Sequence, residues 1–128
     1  MFTSDIKGAT AQVVVLKSQA VTGTVNGPAV DLLAYRGKVM LILNCAAATA
    51  GSSPTFDCKV QECATSGGTY ADVTGAVFTQ VTTTDSVQAL AIDPDAVSRY
   101  IRVVTTIGGT SSPSFPAGVV LLGIPQRI

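Results

Sequence analysis

The clearest regularity in the chain lies at residues 55–61, where Phe56, Cys58 and Val60 alternate with Thr55, Asp57, Lys59 and Gln61. A period of two puts the apolar set on one side of an extended strand and the polar set on the other. This predicts a half-exposed strand. Val39, Met40, Leu41, Ile42 and Leu43 form a continuous apolar run of strand length, the pattern of a strand covered on both faces. Further strand-like stretches are 11–16, 70–73, 76–81, 86–92, 100–107 and 119–124, rich in Val, Ile, Leu and Thr.

Turn residues divide these runs. Residues 45–54 are small and polar and predict a loop; Ser66-Gly67-Gly68-Thr69 predicts a turn. Asp93-Pro94-Asp95 predicts a turn that starts a single helical turn before Arg99. Gly108-Gly109 is expected to stop the strand at 100–107, with 110–118 as a loop. No stretch of ten or more residues carries the i, i+3, i+4, i+7 spacing of an amphipathic helix. The expectation is an all-β domain, a β-sandwich or jelly roll of seven or eight short antiparallel strands. It should occupy residues 1–128 as one domain, with 1–25 as an extended arm or edge strand.

Composition narrows the function. Charged residues are only 12% of the chain, about half the usual share, and eight basic side chains balance eight acidic ones. So few charges suit a protein whose surface is covered by partners. The four Lys and four Arg are scattered, so no basic patch is formed for nucleic acid. The N-terminus lacks the pattern of a secretory signal, and no apolar run approaches the ~20 residues of a membrane-spanning helix. Neither a membrane nor a nucleic acid is expected as partner.

Histidine is absent, which removes the commonest general base. Cys45, Cys58 and Cys63 cannot all pair within one chain and have no metal-site spacing; they read as reduced, buried packing residues of a protein folded in a bacterial cytosol. Asp93 and Asp95 are too few for a calcium site and read as a solvated turn. Asp72-Val73-Thr74-Gly75 resembles the Asp-Thr-Gly of aspartic proteases, but Val73 interrupts it. Gly67-Gly68 and Gly108-Gly109 open no helix and carry no phosphate-loop Lys. No catalytic residue, cofactor or metal ligand is assigned, and the chain is read as a non-enzyme.

Assembly is the remaining use of the surface. Phe115, held between Pro113 and Pro116 by a short uncharged segment, is a candidate anchor; the competing reading folds it back onto its own core. Val13 and Val15 are candidate contacts of the N-terminal segment.

The strings Gly27-Pro28-Ala29-Val30-Asp31-Leu32, Tyr35-Arg36-Gly37, Phe56-Asp57-Cys58-Lys59-Val60-Gln61-Glu62, Tyr70-Ala71-Asp72-Val73-Thr74-Gly75-Ala76-Val77-Phe78 and Arg99-Tyr100-Ile101-Arg102-Val103-Val104 resemble, in that order, small structural proteins of tailed bacteriophages. The resemblance runs from about Thr24 to Gly123. Cys63 stands where those proteins usually have Ser, and Tyr70 fills their aromatic slot. It implies a jelly-roll-like capsid cement, or decoration, protein on the virion surface. Such a protein would bridge neighbouring major capsid proteins and self-associate as a dimer or trimer. The alternatives are a carbohydrate-binding β-sandwich and a tail or neck module; a small enzyme ranks third.

Overall fold

A computed structural model describes residues 10–126. Its strands are β1 (Ala11–Val21), β2 (Val25–Asn26), β3 (Val30–Asp31), β4 (Tyr35–Cys45), β5 (Ala50–Cys63), β6 (Ala71–Val77), β7 (Ser86–Ile92) and β8 (Tyr100–Pro125). Two single 3-10 turns, Leu32–Ala34 and Pro94–Ala96, are capped by the side chains of Asp31 and Asp93. The protein is an antiparallel β-sandwich of jelly-roll type, as its alternating and β-branched runs predict.

Every pairing but two involves β8. On one side, β1, β2 and β3 follow it in turn, from Ala11 opposite Gly123 to Asp31 opposite Tyr100. On the other side β4 and β5 do the same, from Tyr35 opposite Pro125 to Cys63 opposite Tyr100. β7 then adds to β4, and β6 to β5. The first sheet is therefore β1, the C-terminal half of β8, β4 and β7. The second is β2 with β3, the N-terminal half of β8, β5 and β6.

Three expectations are corrected here. Residues 110–118 are not a loop: β8 runs for 26 residues and bends instead of stopping. Gly109, Ser111 and Ser112 take positive φ (109°, 61° and 55°), and the ladder with β5 slips twice beside them. Such bulges turn a strand without ending its pairing. For the same reason the loop expected over 45–54 shrinks to 46–49, because Ala50 already pairs with Ser114. The strands are eight, but β1, β4, β5 and β8 are not short.

The inner faces of the two sheets make one core. Val39, Leu41, Leu43, Val119 and Leu121 point in from the first sheet, and Phe56, Val60, Ile101 and Val103 from the second. The Phe56 and Phe115 rings meet with centroids 5.6 Å apart. Gly27 is fixed by closeness: its N–H donates to the Val103 carbonyl at 2.8 Å, and a Cβ there would strike the Val15 carbonyl.

Thr105 is the buried polar side chain of this core. Its hydroxyl accepts from the Val25 N–H at 3.0 Å and donates to the Gly23 carbonyl at 3.3 Å, tying the β1–β2 connection to β8. Thr105→Val keeps the shape and orphans both backbone groups, so urea unfolding should show a loss of about 1–3 kcal/mol.

Asp31 and Arg99 join β3 to the start of β8 through two hydrogen bonds, Nε at 3.0 Å and Nη2 at 2.8 Å. These bonds to Arg99 hold the Asp31 carboxyl below the usual carboxylate range. A depressed folded-state pKa contributes stability above the unfolded value and loses it as pH falls through the folded one. The stability difference between wild type and Asp31→Asn should be constant at neutral pH and shrink below about pH 4, read from thermal melts across an acid series.

Candidate functional site

The two outer faces of the sandwich differ in chemistry. On the second sheet, Lys59 pairs with Asp72 at 2.9 Å, and Gln61 donates to the same carboxylate at 2.9 Å. Arg102 Nε donates to Gln61 at 3.0 Å, and its guanidinium lies 4.2 Å from the centre of the Tyr70 ring. The Gln61 and Lys59 hydrogen bonds hold the Asp72 carboxyl below the usual range. This face is mainly polar, with Val77 beside Lys59 as an exposed apolar side chain.

The outer face of the first sheet is apolar. Cross-strand register lines up Gln12, Leu122, Met40 and Ala91 in one row, and Val14, Val120, Ile42 and Ala89 in the next. A third row holds Gly118, Asn44 and Val87. Among these described residues there is no charge. Met40 and Val120 are 37% and 39% exposed, Val14 55% and Val87 73%, and Ile42 and Leu122 between them are half-buried. A shallow depression of about 520 Å³ opens where Gly118 supplies no side chain, between Ser18, Ile42, Asn44, Val87 and Val120.

The local cause is visible in β4. Its inward residues Val39, Leu41 and Leu43 are no more than 1% exposed, while Met40 and Ile42 on the other side face outward. The run at 39–43 is that of a strand covered twice, yet within the monomer only one face is covered, which corrects the expectation from sequence. The same holds for Val120 and Leu122 against Val119 and Leu121 in β8.

The residues singled out from sequence fall elsewhere. Phe115 is fully buried against Phe56, so the reading that folds it onto the core holds and its reading as a surface anchor is set aside. Pro113 is buried against Gly51, and Pro116 is half-buried at the rim of the depression. Val15 is fully buried; Val13 is half-buried against the core. Alternation along β1 turns Val13 inward and Val14 outward, and Val15 is buried together with Leu16 where the ladder with β8 shifts. The apolar rows were missed because they appear only when four strands are set in register. The signal was present in the doubly apolar runs.

The chemical candidates resolve as local structure. Asp93 caps its own turn, accepting from the Asp95 N–H at 3.0 Å. Asp72 of the interrupted protease-like string is exposed on β6 and bound to Lys59 and Gln61. Burial pushes the Cys45 thiol up to about 11 and the Cys58 thiol up to about 12, which keeps both unreactive near neutrality. The three tyrosines do not form a sugar platform. Tyr70 and Tyr100 lie under Arg102 and Arg99, and Tyr35 packs over Gly123.

No family model and no curated protein matches the sequence. Solved structures match the fold. The chain superposes on a protein of infectious bursal disease virus, Gx strain, with a TM-score of 0.58 at 10% identity, over 88% of this chain and 31% of that one. The VP2 subviral particle of infectious bursal disease virus gives 0.54 at 12% identity, over 91% and 32%. The SPBc2 prophage-derived protein YomS gives 0.50 at 11% identity, over 89% and 95%. The chain thus spans about a third of the viral proteins and nearly all of YomS. At these identities what is shared is the all-β fold.

If the apolar outer face serves contact and not folding, its side chains are dispensable for stability. Val87→Ser and Met40→Thr should shift unfolding free energy by no more than roughly 0.5 kcal/mol. Leu41→Ala, one residue away but inward, should cost about 2–5 kcal/mol in the same denaturant titration.

Proposed function

We propose that this protein is a non-enzymatic structural subunit of a phage particle, a cement protein that lays the outer face of its first sheet on the major capsid protein and bridges neighbouring capsid subunits. The observation that carries the reading is the uncharged apolar face centred on Val120 and Ile42, opposite a face laced with ion pairs and hydrogen bonds. Contiguous apolar patches on soluble proteins mark surfaces that meet partners. A jelly-roll sandwich shared with viral proteins and a prophage-derived protein agrees with this assignment, as does the resemblance of the sequence to tailed-phage structural proteins.

The mechanism is mechanical. A subunit that binds only the expanded shell stabilises that state by mass action. Each copy spanning a joint adds contact area that internal pressure must break, and many modest contacts act together. The shell offers the first sheet the cover that its doubly apolar strands lack in the monomer.

The test is co-sedimentation with expanded heads of the phage that encodes this chain, prepared without it, followed by thermal disruption. Wild type should saturate at a fixed number of copies per head and raise the disruption temperature. Ile42→Glu should abolish binding while retaining the β-sheet circular dichroism spectrum. Thr106→Lys, on the outer face of the second sheet, should bind normally. Equal binding by both variants would remove the face from the mechanism, and no binding by wild type would remove the capsid role.

A further inference from the structure

We infer that β7 is a self-pairing edge: two copies of this chain join antiparallel along Ser86–Ile92, about a two-fold axis at Ala89, so that the first sheet runs on from one copy into the other. A free strand edge invites added strands, and proteins blunt edges with bulges, charges, Pro or short length. The other edges here carry such protection. β1 has two register shifts and Lys17; β6 has a register shift, Gly75 at φ 81° and the ion-paired Asp72. β2 and β3 are two residues each, separated by Gly27 and Pro28.

β7 has none of these devices. It pairs with β4 alone, through seven consecutive positions from Ile92 to Ser86 without a shift. Its sequence, Ser-Val-Gln-Ala-Leu-Ala-Ile, contains no charge, Gly or Pro. An antiparallel strand can pair with its own copy, which satisfies a closed two-fold contact. The small outward side chains Ala89 and Ala91 let the copies approach, and Val87, the most exposed of the large apolar residues, would gain a neighbour across the joint.

Area points the same way, on the reading of the face as a docking surface. Four strands at about 4.8 Å spacing and seven residues at about 3.4 Å give a footprint of roughly 450 Å². A stable complex buries about 800 Å² per partner. Two sheets joined at β7 present roughly 900 Å² of continuous face. Against the joint, Asp85 of one copy would face Asp93 of the other. Each of these carboxylates is engaged by a local N–H, Ala47 at 2.8 Å and Asp95 at 3.0 Å, and their repulsion is screened by salt.

The experiment measures mass in solution, without capsids, by sedimentation equilibrium over a concentration series. Wild type should be a dimer that tightens as salt is raised, with β7 amides protected from hydrogen exchange. Ala89→Lys and Ala89→Glu should each be monomeric with an unchanged circular dichroism spectrum, and mixing them should restore a dimer. Val14→Lys, on the same face but three strands away, should remain dimeric. A monomeric wild type at every concentration overturns the inference. So does a dimer that survives both Ala89 variants, or one that Val14→Lys breaks, which would mean face-to-face stacking. Because no shell is present, these outcomes are separate from capsid binding.

Discussion

The hydrogen-bond ladder along β8 is the constraint on which the rest of the sandwich depends. One strand of 26 residues is paired along nearly its whole length by β4 and β5 on one flank, and by β1, β2 and β3 on the other except across the bend at 106–114. Buried backbone groups need partners, and a strand paired on both sides satisfies them within the sheet. Bending that strand at Gly109, Ser111 and Ser112 folds both flanks with it, so a single bend stacks the two sheets and brings Phe115 onto Phe56. The residues that bend β8 therefore decide where the core is.

Stacking the sheets separates inside from outside on every strand, and the outside is not uniform. The second sheet spends its outer positions on Lys59, Asp72, Gln61 and Arg102, which hold one another. The first sheet spends them on Val14, Val120, Met40, Ile42 and Val87, which lie in adjacent rows on its outer side. A chain with 12% charged residues places most of them off this one face. The proposed shell binding and self-pairing at β7 both draw on the same feature, a sheet with apolar residues on both sides and an edge strand without charge. Under the two proposals, a shell subunit would cover the face and a second copy the edge.

Much of this was legible in the chain itself. Periodicity at 55–61, β-branched runs and the absence of helical spacing determined an all-β protein, because strand preference and side-chain alternation are local properties. Asp93-Pro94-Asp95 likewise announced its capped turn, which needs no distant residue. Cys45 and Cys58 were legible as buried packing residues, whereas Cys63, read the same way, is half-exposed at the end of β5. The charge-poor composition pointed to a covered surface without saying where it lay.

Tertiary structure alone decided the rest, because it depends on register between residues far apart. Gly108-Gly109 reads locally as a stop, yet the ladder with β5 carries β8 through it. Phe115 between Pro113 and Pro116 reads locally as an exposed anchor, yet the bend in β8 turns it against Phe56. Val13 and Val14 could have faced either way; the inward setting of the first and the outward setting of the second follow from pairing with Leu121 and Val120, and Val15 is buried at the register shift that follows. The sequence by itself determined that the chain is built of strands and that 39–43 carries apolar side chains on both faces. Only the folded sheets decided which of those faces is the core and which is left open, since a face exists only when strands contributed from opposite ends of the chain lie side by side.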